Sequence, residues 1–145
     1  LVGSFEDQRD AIDKKTKTII KGEPTIHAIG FQKDVRPYFA TADVFVFPSY
    51  REGFPNVVLQ AAAMGLPSIV TEINGCNEII ESNYNGLIVQ PKSVDSLSNA
   101  MSKLLQDVDL RKSLAEKGIE SIKPYEQQEI WRLIAQEYTE FCSPN

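Results

Sequence analysis

Residues 48–67 read PSYREGFPNVVLQAAAMGLP, and their prolines and glycines leave the backbone few choices. The preceding residues, Ala42-Asp43-Val44-Phe45-Val46-Phe47, are apolar on both faces of an extended chain, as in a strand buried within a parallel sheet. Pro48 ends that strand. Residues 49–54 form a loop, and Pro55 then falls in the first turn of a helix, where a missing N–H costs nothing. The helix is predicted over 55–64. Gly65 supplies the left-handed residue that stops it, and Pro67 prevents its resumption.

A helix that starts at the carboxyl end of a buried parallel strand presents unpaired N–H groups and the positive end of its dipole, an arrangement suited to phosphate. Pro55 donates nothing, so the expected donors are the amides of Asn56, Val57 and Val58. Gly53 lets the loop backbone approach a ligand closely. Glu52, just ahead of the helix, is positioned to accept hydrogen bonds from hydroxyl groups. Gln60 is the one polar side chain between Val57 and Met64, and on so apolar a helix it is expected to be buried and to need partners.

The rest of the chain repeats this alternation. Strands are expected at 1–5, 25–30, 43–47, 68–71 and 87–89, separated by helices or by loop and helix. That order implies an open, mainly parallel, doubly wound (Rossmann-like) α/β sheet with flanking helices, whose ligand site lies outside the carboxyl ends of the strands. A helix over 7–20 would bury Ile12, Ile19 and Ile20. A short one starts at Val35 or Pro37 and runs to Thr41. Gly75 permits a tight turn after the fourth strand, with Glu78 at the head of a small helix, where it either complements the dipole or faces the ligand. Asn85-Gly86 marks a further turn. From Ser93 onward the pattern is helical, with Leu97, Met101, Leu104 and Leu105 in one apolar stripe and Leu110, Leu114, Ile119 and Ile122 in another. A last helix over 126–142 carries Ile130, Trp131, Leu133, Ile134, Tyr138 and Phe141, which either pack on their own domain or leave part of that apolar surface uncovered and prone to association.

Composition narrows the function. The 145 residues, 42% hydrophobic, suit one soluble domain with its own core. Fifteen basic against twenty acidic residues give a net charge of −5, and without a basic cluster nucleic acid is excluded as a partner. An anion is then held by local donors, the helix start and basic neighbours such as Arg51. Cys76 and Cys142 have neither metal-ligand nor framework spacing and read as reduced thiols of a cytoplasmic protein. No metal or other cofactor is expected. No apolar run is long enough to span a membrane. His27, the single histidine, has no acidic or cysteine partner nearby in sequence and is assigned no chemistry.

The run Glu52-Gly53-Phe54-Pro55-Asn56, the apolar and alanine-rich helix after it, Gly65, Pro67 and the short strand beyond together resemble the donor-binding signature of retaining glycosyltransferases of the GT-B fold. The resemblance implies the C-terminal half of that fold. Residues 1–145 would be one nucleotide-sugar-binding domain, truncated at its N-terminal end, with an acceptor domain and a first strand and helix missing. It implies that Glu52 is the catalytic carboxylate, contacting donor-sugar hydroxyls. Gly53, Phe54, Asn56, Val57, Val58, Gly75 and Glu78 would surround the diphosphate and sugar, and Phe31, Lys33 and Val35 would reach the nucleotide base. The family's second acidic residue falls on Gln60, a departure; an amide oxygen still accepts from ribose hydroxyls, without charge assistance. The implied activity is transfer of a hexose from a nucleoside-diphosphate sugar, UDP favoured, to a glycan or lipid-linked acceptor, with any membrane-surface docking through the missing domain. The fragment alone would be inactive. Two alternatives stand beside it: a non-catalytic nucleotide-binding or interaction module on the same scaffold, and a related GT-B phosphorylase or epimerase.

Overall fold

The computed structural model describes residues 1–5 and 12–142. The chain divides into two compact units, Leu1–Tyr38 and Phe39–Asn145.

In the first unit, helix α1 (Lys14–Gly22) begins where Asp13 caps it. The Asp13 carboxylate accepts from the Thr16 amide at 2.9 Å and the Thr16 hydroxyl at 2.6 Å, and these bonds, the hydroxyl's first, hold its pKa below the usual value. The helix therefore starts later than expected; residues 7–11 of the predicted helix lie outside the described residues. Of its isoleucines only Ile20 is buried, while Ile12 and Ile19 are exposed. Residues 1–5 and 25–30 are not the strands expected of them. They run side by side through Leu1 N to His27 O at 2.6 Å, Ile29 N to Leu1 O at 3.0 Å and Gly3 N to Gly30 O at 2.9 Å. The positive φ of Gly3 (129°) and Gly30 (70°) takes both segments out of extended geometry before a ladder can extend. Helix α2 (Arg36–Phe39) carries the chain to the second unit.

That unit is built on three parallel strands in the order β1 (Phe45–Phe47), β2 (Ser68–Thr71), β3 (Gly86–Val89). Helix α3 (Asn56–Ala63) joins β1 to β2 and helix α4 (Cys76–Ile79) joins β2 to β3. After β3 come α5 (Val94–Gln106), α6 (Val108–Ser121), a 3₁₀ turn (Lys123–Tyr125) and α7 (Gln127–Cys142). Alternation along the strands makes two apolar layers. On one face Phe45, Phe47, Val70 and Ile88 meet Val58 of α3 and Cys76, Ile79 and Ile80 at α4. On the other, Val46, Ile69, Leu87 and Val89 meet Leu97 and Leu104 of α5 and Leu110 and Leu114 of α6. All four residues of β2 are buried, as the sheet's central strand requires. This is the open parallel α/β sheet with flanking helices that the alternating pattern implied.

The helical stripes prove narrower than the sequence suggested. Met101, Leu105 and Ile119 are exposed, so Leu104 and Leu114 carry most of the burial of α5 and α6. Helix α7 does not pack down on the unit: none of its residues is buried, and Trp131 is 63% and Phe141 91% exposed. No helix among the described residues is long and apolar enough to cross a membrane.

Candidate functional site

The carboxyl ends of β1 and β2 bring together the segment the sequence singled out and the turn after the next strand. Beyond β1 the chain passes Pro48 and reaches Ser49, whose hydroxyl donates to Glu52 Oε1 at 2.6 Å. The two side chains, three residues apart in the loop, bond directly to one another. Ser49 is itself held, because Thr71 at the end of β2 donates its hydroxyl to the Ser49 carbonyl. Thr71 is buried, so the half-buried Glu52 is fixed to the sheet through two side chains. Neither Ser49 nor Thr71 was singled out from sequence. Only the Ser-x-x-Glu spacing was there to indicate the first.

After β2 the chain turns at Gly75, with φ 81° and ψ −50°, into α4. A β-carbon built on Gly75 would lie 2.2 Å from the Gly53 carbonyl oxygen and 3.1 Å from Pro55 Cδ. The Glu52 loop and the Gly75 turn therefore touch backbone to backbone, and only a glycine fits between them. Gly53 has open space on its own β-carbon side, which leaves that edge of the loop accessible. Cys76 lies beneath, fully buried. Burial, and secondarily the Glu52 charge, push its thiol up to about 11. A thiol so disfavoured as thiolate is no nucleophile. We expect iodoacetamide at pH 8 to label only the exposed Cys142 in the folded chain and Cys76 only after unfolding, read by peptide mass spectrometry; rapid labelling of Cys76 in the folded state would contradict this burial.

Helix α3 starts at Asn56, with Pro55 as its cap and no side chain satisfying its first amides. Of the three donors expected there, Val58 is a correction. Its amide is engaged by the Pro55 carbonyl at 2.9 Å and its side chain is buried in the core, because the tight turn at Pro55 closes on itself. The amides of Asn56 and Val57 remain at the open end. Gln60 is a second correction: it is exposed, not buried. At about 100° per residue, Val58, Ala61 and Ala62 form the buried arc, and Gln60 falls opposite it, one turn along the same solvent-facing side as Asn56. Its amide therefore needs no internal partner.

Phe54 is 39% exposed and rests on Tyr125, ring centroids 5.5 Å apart. Glu78 is exposed and its backbone carbonyl accepts from the Tyr125 hydroxyl at 3.0 Å. Asn85, read from sequence as a turn marker, is buried and clamps the end of α4. Its Nδ2 donates to the Ile79 carbonyl at 2.9 Å and its Oδ1 accepts from the Glu81 amide at 2.7 Å. Beside the cluster, Pro48, Tyr50, Thr71, Gln90, Lys92 and Leu97 line a hollow of about 350 Å³, with Lys92 Nζ 5.6 Å from the centroid of the Tyr50 ring. Glu52, Gly53, Phe54, Asn56, Val57, Gly75 and Glu78 thus form one neighbourhood, with Gln60 on the adjoining helix face. Phe31, Lys33 and Val35 belong to the first unit; there Phe31 is 75% exposed. In that loop Asp34 accepts from the Arg36 guanidinium at 2.7 and 2.8 Å, which, together with the Arg36 amide, lowers its carboxyl to about 2.

Chemically, the cluster offers a carboxylate fixed through one oxygen, beside two open amides at a helix start. It can accept hydroxyl protons in hydrogen bonds and can hold an anion.

Comparison with known proteins agrees with the fold and identifies the family. The chain is 37% identical over 113 residues to the N,N'-diacetylbacillosaminyl-diphospho-undecaprenol alpha-1,3-N-acetylgalactosaminyltransferase of Campylobacter jejuni, a match covering 78% of this chain and 29% of that protein. Its structure superposes on that of Anabaena HepE in complex with UDP with a TM-score of 0.86 at 23% identity, covering 97% of this chain and 40% of that one. It also superposes on the C-terminal domain of a glycosyl transferase group 1 family protein, LpcC, from Francisella tularensis, with a TM-score of 0.62 at 25% identity, over 74% of this chain and 57% of that one. The chain spans about 29% of the length of its Campylobacter relative. The family model for glycosyl transferases group 1 matches residues 1–107, and the chain belongs to that family.

Proposed function

We propose that this chain is the C-terminal, donor-binding domain of a retaining GT-B glycosyltransferase. It would transfer a hexose from a nucleoside-diphosphate sugar, UDP-sugar favoured, to a glycan or lipid-linked acceptor held by the remainder of the protein. The observation that carries this is the Glu52 carboxylate, anchored by Ser49 beside the open start of α3, on a loop whose Gly53 backbone is packed against the Gly75 turn. The C-terminal assignment is supported by the likeness to the Francisella domain, the donor by the UDP in the Anabaena protein, and the acceptor class by the Campylobacter relative's diphospho-undecaprenol substrate.

In this reading the Asn56 and Val57 amides and the dipole of α3 take the diphosphate, stabilising the charge that grows on it as it leaves. Glu52 Oε2 accepts from hydroxyls of the sugar, fixing the anomeric carbon relative to the acceptor. Asn56 and Gln60, one turn apart on the open face of α3, flank the ribose. No resident metal is assigned, since amide donors and basic residues elsewhere in the protein would serve the leaving group. The domain would work in the cytoplasm, with membrane-surface docking left to the remainder of the protein.

Gln60, standing where the family has a carboxylate, favours a second reading, a nucleotide-binding module without transfer activity. The first test is an amide NMR titration of the chain with UDP, GDP and ADP. We expect UDP to shift Gly53, Phe54, Asn56 and Val57 most, with Val58, whose amide is already engaged, moving less. Titrations that leave this loop still at millimolar nucleotide, here and in the full-length protein, would overturn the proposal.

A further inference from the structure

Tyr125 lies far from the donor-site segments in sequence and was not singled out there, yet it touches two of them. It ends the 3₁₀ turn between α6 and α7, and its backbone is held there by the bond from its amide to the Ile122 carbonyl at 2.8 Å. The half-buried side chain leaves that turn in one direction and offers two different groups. Its ring lies against Phe54, centroids 5.5 Å apart and planes at 46°. Its hydroxyl donates to the Glu78 carbonyl at 3.0 Å, a contact spanning 47 residues.

Each contact has a local reason. Phe54 immediately precedes Pro55, the cap of α3, so the position of its ring sets how the loop enters the helix. Glu78 sits in the four-residue α4, too short to supply its own last carbonyls with partners; the tyrosine hydroxyl provides one. The loop and α4 already meet on their inner side through Gly53 and Gly75. Tyr125 joins them a second time, making a closed ring of contacts from Gly53 to Gly75, along α4 to Glu78, through Tyr125 to Phe54 and back. Two contacts at different points fix the relative orientation of the segments, which one contact acting as a pivot would leave free.

We propose that Tyr125 is a positioning residue for the donor site: it sets the Glu52–Asn56 loop against α4 and thereby the geometry in which the nucleotide diphosphate is held. The assignment rests on the donor-site reading given above, and it extends the site to the start of the C-terminal helix.

The test is UDP binding by the whole chain, followed by amide NMR, in the wild type, Y125F, Y125L, F54L and the Y125L/F54L double variant, each checked for a cooperative melt. Y125F keeps the ring and loses the hydroxyl. We expect UDP affinity to fall about two- to fivefold, from loss of one hydrogen bond, with shifts at Asn77, Glu78 and Ile79 already in the free protein. Y125L loses both contacts, and about a tenfold loss is expected, which Y125F largely rescues. Because Phe54 and Tyr125 act through one shared contact, the double variant should bind no more than about twofold more weakly than Y125L, short of the product of the single effects. A residue needed only for folding would lower the melting temperature in all these variants without this graded, non-additive effect on affinity. A wild type that binds UDP while Y125F and Y125L match it overturns the Tyr125 assignment alone. A Gly53–Val57 segment that ignores UDP in the wild type, both in this chain and in the full-length protein, overturns this assignment together with the donor reading beneath it.

Discussion

Replacing Gly75 by alanine is expected to destabilise the second unit by roughly 2–4 kcal/mol, lowering its Tm by about 10 °C or more. Two costs combine. The backbone there has φ 81° and ψ −50°, close to the strained γ-turn geometry, which costs a side-chain-bearing residue about 1–3 kcal/mol. The new β-carbon would also lie 2.2 Å from the Gly53 carbonyl oxygen and 2.9 Å from its carbonyl carbon. Those neighbours are backbone and cannot rotate away as a side-chain tip would. Either the loop or the turn has to move, and the loop carries Glu52. Gly53→Ala is the control from the other side of the same contact. A β-carbon on Gly53 meets nothing within 4 Å, so that change is expected to stay within about 0.5 kcal/mol. Thermal melts of the two variants decide it: equal and small shifts would mean that the loop and the turn are not in contact as described. Of these two glycines, one is required by what lies opposite it and the other is tolerated for its open surroundings.

The largest effect on the proposed activity is expected from Glu52→Gln in the full-length protein. The substitution keeps the side chain's size and leaves an oxygen for the Ser49 hydroxyl, so the loop should hold its shape and the melt should move little. It removes the negative charge that would strengthen hydrogen bonds from the donor sugar as the glycosidic bond breaks. We expect kcat/KM for transfer to fall about 100-fold or more. UDP affinity should stay within about twofold, since the nucleotide is assigned to the amides of α3. Transfer with radiolabelled donor, beside UDP binding on the same preparation, separates the two readings. A variant that keeps both transfer and affinity would remove Glu52 from the chemistry. A full-length wild type that binds UDP but transfers nothing would favour the binding module that Gln60 suggests. The charge also reaches Cys76, where it adds to burial in raising the thiol, so Glu52→Gln should lower the pH at which Cys76 ionises.

Local chemistry made much of this legible before any coordinates. The helix after Pro55 was expected over 55–64 and spans Asn56–Ala63, ended by Gly65 at φ 68°. Strand β2 falls on the four residues expected, 68–71. Proline and glycine act within one or two residues, and burial on both faces marks a central parallel strand by composition alone. Pattern failed where two answers share one composition. The run Val57 to Met64 is apolar apart from Gln60, with alanines that pack equally well on either side, so its outer arc is marked only by the pair Asn56 and Gln60, one turn apart. Gln60 was expected inside and lies outside. Residues 1–5 and 25–30 have the apolar content of strands, yet Gly3 and Gly30 bend them out of the geometry a ladder needs.

The sequence by itself determined the succession of elements from β1 onward, the strand-loop-helix around Glu52 and the residue types able to meet an anion and a hydroxyl, because these depend on backbone preferences and neighbours close along the chain. Only the tertiary structure decided that Thr71 holds Ser49, that Gly75 receives the Gly53 carbonyl and that Tyr125 bridges Phe54 and Glu78. Those contacts join residues from different strands, turns and helices. Their partners are chosen by how the sheet's carboxyl edge gathers its loops, a matter of packing in three dimensions that spacing along the chain does not encode.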